Sequence, residues 1–313
     1  MSKLLIVTDG KAGHENQSKA LCSALGYDFD CLRVAYPTKL HKALSYAADR
    51  LGLLRRGLFT VSQPAEGFYS TVVCTGSTAF YPGKVAARQR GLPVAAILFP
   101  RGYRLSTFDC ILAPSFDQPP ALPNIVRVPV NLTSTNASFY EAGVAAFRHR
   151  HTPRGPAVGV IIGGPNAIAT MTPESMRRDL DRLFAATEGR ERWVTTSRRT
   201  PPGVEAVIDR YPFDYKLIFS RDTINPIPAF VSLCERLFVT ADSTGMLSEA
   251  VTRGTAQVEV LMNLGDPASK FGRFIRGLEA ENAVHVFDGS LGSAGRKIDL
   301  APTVEQARAL LKL

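Results

Sequence analysis

Short apolar runs alternate along this chain with longer stretches in which apolar residues recur every three or four positions. That alternation predicts strand after helix from one end to the other. Residues 4–7, 29–35, 71–75, 94–99, 110–113 and 125–130 read as buried strands. Ala20, Leu21, Ala24 and Leu25 mark a helix between the first two, and 79–90 and 139–148 read as helices as well. In the segment 40–59, Leu40, Ala43, Leu44, Ala47, Ala48 and Leu51 share a helical face beside Arg50, Arg55 and Arg56. Such a face belongs either to a core-facing helix with a solvated basic end or to a basic patch that rests on anionic lipid.

Periodicity breaks at 149–156, where proline, glycine and charge coincide. This is the expected linker, with His149 and His151 counted as linker residues because no third metal ligand stands near them. The domains are therefore expected at residues 1–150 and 151–313. Strands restart at 158–162, 193–196, 217–219, 237–239 and 257–261, with helices at 173–186, 204–211, 225–233 and 271–278. Thr303-Val304-Glu305-Gln306 reads as the capping box of a last helix, which is expected to pack back on the N-terminal domain. Strand and helix in strict alternation predict an α/β fold of two doubly wound, Rossmann-like domains, with a cleft between them as the expected site.

Composition narrows the function classes. A chain of 313 residues, 45% hydrophobic and 21% charged, has an ordinary globular balance. Its apolar runs fall short of the ~18 to 20 residues that span a bilayer, and the first ten residues are too short for a signal peptide. Cys22, Cys31, Cys74, Cys110 and Cys234 are scattered without a CxxC pair, which fits reduced thiols in the cytoplasm. The net charge of +9 favours an anionic partner. The basic residues are dispersed and form no DNA- or RNA-binding motif, so nucleic acid is not the expected partner.

Three stretches carry candidate chemistry. In 237–250 an apolar strand ends in small hydroxyl residues and a helix begins. Ser243 or Thr244 is placed to cap it, and a helix start with unpaired N–H groups suits a phosphate. Glu249, within two turns, is placed to accept hydrogen bonds from a ribose diol. In Asp9-Gly10-Lys11-Ala12-Gly13-His14-Glu15-Asn16-Gln17, a glycine loop follows the first strand, where open α/β sheets bind ligands; it is neither GxGxxG nor a Walker loop. His14 there is a candidate general base, or else a helix-start residue that holds the loop. Arg198 and Arg199 follow a strand end and offer planar donors for phosphate. The two Asp-x-Asp strings, 28–30 and 179–181, open a strand and lie within a helix respectively, so neither stands where a metal-dependent transferase places one.

Residues 9–17, Thr196-Ser197-Arg198-Arg199-Thr200-Pro201 and Asp242-Ser243-Thr244-Gly245-Met246-Leu247-Ser248-Glu249-Ala250 resemble the signatures of the mitochondrial-fission ELM family. Its bacterial members are often labelled nucleotide-sugar epimerases or glycosyltransferases. Gly163-Gly164-Pro165-Asn166 and Asn225-Pro226 add weaker support, and the resemblance covers nearly the whole chain in order. It implies a GT-B-like architecture, similar to the peptidoglycan GlcNAc transferase and UDP-GlcNAc 2-epimerase, with the nucleotide sugar bound mainly by the C-terminal domain and the N-terminal domain on the acceptor side. The donor residues so implied are Gly163, Gly164, Asn166, Ser197, Arg198, Arg199, Thr200, Asn225, Ser243, Thr244, Met246, Ser248 and Glu249. His14 and Asp9 are the implied catalytic pair, and Gly10, Lys11, Gly13, Glu15, Asn16 and Gln17 form the loop at the cleft. No metal and no resident cofactor are implied, the nucleotide sugar being a substrate. The chain departs from the family at Gly76-Ser77-Thr78, where an Arg pair often follows the glycine, at Pro114-Ser115-Phe116-Asp117 and at Gly245.

The expected function is metal-independent glycosyl transfer to a cell-envelope glycan or lipid-linked acceptor, such as a lipopolysaccharide core sugar, at the inner face of the membrane. Nucleotide-sugar epimerisation and a non-catalytic role in membrane or organelle division are the alternatives.

Overall fold

The computed structural model describes residues 3–62, 67–133 and 136–313. The chain divides into two compact units, Met1–Thr135 with Asp299–Leu313, and Asn136–Ile298.

The first unit runs β1 (Lys3–Thr8), α1 (Ala12–Leu25), β2 (Phe29–Ala35), α2 (Lys39–Arg50), β3 (Thr60–Val61), β4 (Tyr69–Thr75), α3 (Phe80–Arg90), β5 (Val94–Ile97), β6 (Cys110–Pro114) and β7 (Ile125–Val128). Its strands order as β3-β2-β1-β4-β5-β6-β7, parallel except for β3. Leu5 and Val7 point into one apolar layer with Val72, Phe80 and Tyr81; Leu4 and Ile6 point into the other with Leu21 and Val73. Both faces of β1 are thus covered, which explains its unbroken apolar run. The chain's last helix, Ala301–Leu311, supplies Val304, Ala307 and Leu311 to that second layer, and Arg308 donates to the Leu25 carbonyl at 2.9 Å. The expected capping box is absent. Asp299 already accepts the Ala301 N–H at 2.8 Å, so the helix starts earlier and Thr303 is buried inside it.

The second unit runs α4 (Ala137–Arg148), β8 (Ala157–Ile161), α5 (Pro173–Ala186), β9 (Glu191–Thr195), α6 (Pro202–Asp209), β10 (Tyr215–Leu217), α7 (Ile227–Leu233), β11 (Arg236–Thr240), α8 (Thr244–Thr252), β12 (Gln257–Leu261), α9 (Lys270–Ala280) and β13 (His285–Val286). The last helix of the chain is then α10. The sheet is all parallel, ordered β10-β9-β8-β11-β12-β13.

Helix α4, expected to end the first domain, belongs to the second unit. Phe147 is buried there, its ring 4.6 Å from Trp193 and 4.8 Å from Tyr215. The segment after it is no free linker. The His151 imidazole pairs with Glu191, which also accepts from Trp193 Nε1 at 2.8 Å and the Arg154 N–H at 2.7 Å. The segment read as helical from 40 to 59 stops at Arg50, and it turns its apolar face outward, with Leu40, Leu44 and Leu51 exposed. Among the described residues no helix is long and apolar enough to cross a membrane.

Candidate functional site

In a doubly wound sheet, loops diverge where the strand order reverses, and ligands bind at the carboxyl ends of the strands there. The first sheet reverses between β1 and β4, the second between β8 and β11. Most of the sequence-derived residues fall on these two places.

At the first, Gly10 adopts φ +77° and its N–H donates to Thr8 Oγ1 at 3.1 Å. The turn is tight enough that α1 starts at Ala12. Gly13, His14, Glu15, Asn16 and Gln17, expected in a loop, therefore lie on the first turns of a helix; only Gly10 and Lys11 precede it. Glu15 pairs with Lys19 at 2.7 Å, Gln17 donates back to the Gly13 carbonyl at 3.3 Å, and Lys11, Gly13 and Asn16 are exposed. His14 Nδ1 lies 3.1 Å from Asp9 Oδ1, which also accepts the Lys11 N–H at 3.2 Å. The Lys11 ammonium stands 3.1 Å from Asp9 Oδ2 as an ion pair, but without hydrogen-bond geometry, so that buried oxygen has no hydrogen-bond donor among the described residues. Burial acts to raise the Asp9 pKa; the contacts with Lys11 and His14 outweigh it and hold the carboxyl below its ordinary value. Asp9 is thus an anion at neutral pH. An anionic acceptor opposite Nδ1 places the imidazole proton there, which leaves the lone pair on Nε2.

The ring of His14 lies over Gly76, at the end of β4. A Cβ on Gly76 would stand 2.4 Å from His14 Cε1, and its φ is +83°. Glycine is therefore required twice over, by the left-handed backbone and by the imidazole above it. Local pattern marks Gly76 only as the close of a strand, because the pairing of β1 with β4 is not written in it.

At the second switch point Asp242 is the hub. Its carboxylate is fully buried and accepts from the Gly164 N–H at 3.0 Å, Arg199 Nη2 at 2.6 Å and Asn263 Nδ2 at 3.1 Å. Asn166 donates to the Asp242 carbonyl at 3.3 Å. Any side chain on Gly163 would meet the Asp242 carboxylate at 2.2 Å, and on Gly164 the Arg199 carbonyl at 2.2 Å. Thr200 donates to the Gly163 carbonyl at 2.5 Å and accepts the Ser197 N–H at 2.9 Å, while Thr240 accepts the Gly163 N–H at 2.8 Å. Gly163, Gly164, Asn166, Ser197, Arg199 and Thr200 are thus brought together around a residue that was read only as part of a motif. Nothing in local pattern marks Asn263, which comes to Asp242 from the turn after β12.

Arg199 is engaged within the protein, whereas Arg198 is exposed and makes no hydrogen bond or ion pair among the described residues. Ser243 caps α8 by accepting the Met246 N–H at 3.4 Å, with Thr244 and Met246 partly buried around it. Ser248 is fully buried and its hydroxyl turns back to the Thr244 carbonyl at 2.6 Å, so it lies inside the packing and not at the surface expected of a donor contact. Asn225, just before α7, accepts the Ile227 N–H at 3.1 Å and makes no hydrogen bond to the Asp242 cluster among the described residues. Glu249 accepts from the Tyr140 hydroxyl at 3.2 Å through Oε1; Oε2 makes no hydrogen bond among the described residues. Burial raises the Glu249 pKa, against the pull of Tyr140 and Arg253.

A cavity of about 230 Å³ on the second unit is lined by Arg150, Asp209, Tyr215, Lys216, Arg221 and Asp222, and shares no residue with either cluster. Four of its charges are paired, Arg150 with Asp222 and Arg221 with Asp209, and Lys216 donates to the Asp209 carbonyl at 2.7 Å. Among the described residues no three His, Cys, Asp or Glu side chains are placed to hold a metal ion.

The whole chain is similar in fold to several solved structures. S. aureus MnaA in complex with UDP matches at 14% identity and a TM-score of 0.51, covering 100% of this chain and 98% of that one. Acinetobacter baumannii MurG matches at 12% identity and a TM-score of 0.50, covering 100% and 92%. A Listeria monocytogenes protein described as a UDP-N-acetylglucosamine 2-epimerase matches at 14% identity and a TM-score of 0.52, covering 99% and 88%. At these identities the likeness establishes the fold, a pair of Rossmann-like domains of GT-B type. No match by sequence was found among curated proteins. Residues 12–313 match the sequence family of mitochondrial fission ELM1, and the chain belongs to that family.

Proposed function

We propose that this chain is a glycosyltransferase of GT-B type, which moves a sugar from a nucleotide-sugar donor to a hydroxyl of a cell-envelope glycan or lipid-linked acceptor. The observation that carries this reading is the His14–Asp9 pair at the first switch point, with Nε2 free to take a proton. The first unit accordingly serves the acceptor and the second unit the donor. In the second unit the start of α8 and the exposed Arg198 offer N–H dipoles and a guanidinium to a diphosphate. Glu249 Oε2 accepts from the ribose.

In the transfer step, His14 Nε2 removes the proton of the acceptor hydroxyl. The oxygen's electron pair forms the new bond to the anomeric carbon. The bond from that carbon to the diphosphate oxygen breaks, and the nucleoside diphosphate leaves with the pair. Asp9 stabilises the imidazolium that results. The developing negative charge on the leaving group is met by Arg198 and the helix start, with no metal in the step.

S. aureus MnaA, solved with UDP, and the Listeria monocytogenes protein described as a UDP-N-acetylglucosamine 2-epimerase share the fold, which supports a nucleotide sugar as the donor class. A thermal-shift screen of UDP, GDP, ADP and CMP sugars tests it, since a ligand at 100 times its dissociation constant stabilises by about 2.7 kcal/mol. Product analysis of the responding donor follows. Free nucleoside diphosphate with a lengthened acceptor supports transfer. An altered sugar still joined to the nucleotide makes the chain an epimerase, and no response to any donor leaves the adaptor reading.

A further inference from the structure

Helix α2 turns its leucine stripe away from the core. Taken at about 100° per residue, Leu40, Ala43, Leu44, Ala47 and Leu51 form one stripe about 100° wide, the width of an ordinary core-facing stripe. That stripe faces solvent: Leu40 is 66% exposed, Leu44 45% and Leu51 74%, with Ala43 and Ala47 exposed between them and Leu53 just beyond at 44%. The inward face carries Tyr46, stacked on Tyr103 at 4.3 Å, and Ala48 against the core, with polar residues between them. Ser45 and Asp49 are the buried residues of the helix, Ser45 accepting from the Tyr36 hydroxyl at 3.0 Å. Asp49 takes Lys84 Nζ at 2.8 Å and the Arg104 N–H at 2.7 Å. Lys42 is tied to Ser77 at 2.9 Å. These polar bonds fix the rotation of the helix about its axis, so the leucines are held outward by the fold.

Charge says what covers them. Lys39, Arg50, Arg55 and Arg56 are exposed around the stripe, and the one acid between residues 39 and 59, Asp49, is buried against Lys84. Leucines ringed by cations, with no exposed carboxylate within residues 39–59, complement an anionic lipid surface, where the apolar stripe enters the acyl boundary and the bases meet the head groups. A second copy of the same patch would bring cations against cations.

We propose that α2 and the turn after it dock this protein on anionic membranes, through Leu40, Leu44, Leu51 and Leu53 with Lys39, Arg50 and Arg55. The proposal is independent of the nucleotide reading, and it gives a lipid-linked acceptor a surface from which to reach the first unit.

Co-sedimentation of the full chain with phosphatidylglycerol-containing vesicles, against pure phosphatidylcholine vesicles, tests it. The wild type is expected to pellet with the anionic vesicles only and to be released by high salt. The triple variant Leu40→Ser/Leu44→Ser/Leu51→Ser should lose at least about tenfold in partitioning, and Arg50→Ala and Arg55→Ala roughly fivefold each. All these side chains are exposed, so the thermal midpoint and any donor-induced shift should stay as in the wild type. Wild type that ignores anionic vesicles, or a leucine variant that binds them equally, overturns the proposal. So does a wild-type dimer that the leucine variant dissociates, since a second copy would then cover the stripe.

Discussion

Arg199 Nη2 sits 2.6 Å from Asp242 Oδ2 and ties the turn after β9 to the turn after β11. Arg199 Nη1 also reaches the Gly164 carbonyl at 2.5 Å, so one guanidinium closes the loops of three neighbouring strands. The adjacent Arg198 touches none of this. Two arginines that read alike in the sequence therefore do different work.

Arg199→Ala should reduce stability by about 1 to 3 kcal/mol, the cost of leaving the buried Asp242 without its charged donor. Arg198→Ala should leave the unfolding midpoint in place and weaken donor binding or turnover instead. Urea unfolding beside donor titration separates the two. Equal stability losses would show that the exposed guanidinium is structural as well.

Glu249 supplies a pH prediction. Its folded pKa lies above the ordinary 4.5, so between those values the folded state holds the proton more tightly than the unfolded state. Stability then falls as pH rises through that interval. Glu249→Gln keeps an acceptor for Tyr140 and carries no charge. It should therefore lack this slope and be the more stable protein above the interval, with no advantage below about pH 4.5. Thermal midpoints of both proteins across acid to neutral pH decide it; parallel curves would mean that Glu249 is solvated as a carboxylate.

Lys84 and Asp49 form a fully buried pair, each about 1% exposed, with the ammonium 4.1 Å from the Phe108 ring centre. Removing one partner strands the other charge. Lys84→Met should cost about 3 to 5 kcal/mol, and replacing both residues with apolar ones should recover much of that. The same substitution should also free α2 to rotate, which tryptic cleavage at Arg50 would report. A single variant as stable as wild type would mean that the pair contributes little.

The fold was legible because each strand buried on both faces writes its own apolar run, and each helix its stripe. Residues 173–186 and 257–261 were bounded from sequence as they stand in α5 and β12. Two-residue strands such as β3 and β13 carry too little pattern to be read. Helix α2 leaves two readings open in the sequence, core-facing or lipid-facing, for a physical reason: its stripe has core periodicity, and only the partners of Asp49, Lys84 and Arg104, distant in sequence, decide that it faces out. His151 was passed over because its partner, Glu191, lies 40 residues away. In the candidate site, the motif residues could be named, but not the neighbours that strand order supplies. Gly76 beneath His14, Asn263 beside Asp242 and Tyr140 on Glu249 all come from such non-local pairings.

Gly76→Ala should lower turnover through His14. A methyl at 2.4 Å from the imidazole must displace the ring from Asp9, and the left-handed backbone adds strain. Turnover should fall while donor affinity on the second unit stays unchanged. If the alanine variant keeps wild-type turnover, the seating of His14 on Gly76 has no part in the chemistry.

The most direct test is single-turnover transfer by His14→Ala and His14→Asn with the donor that the thermal-shift screen identifies. The reading predicts that both variants bind donor as the wild type does. Both should transfer roughly 10²- to 10⁴-fold more slowly, because neither side chain can accept the hydroxyl proton. An asparagine variant that retains most of the wild-type rate would contradict it: His14 would then hold only the shape of the first turn of α1, and the base would lie elsewhere.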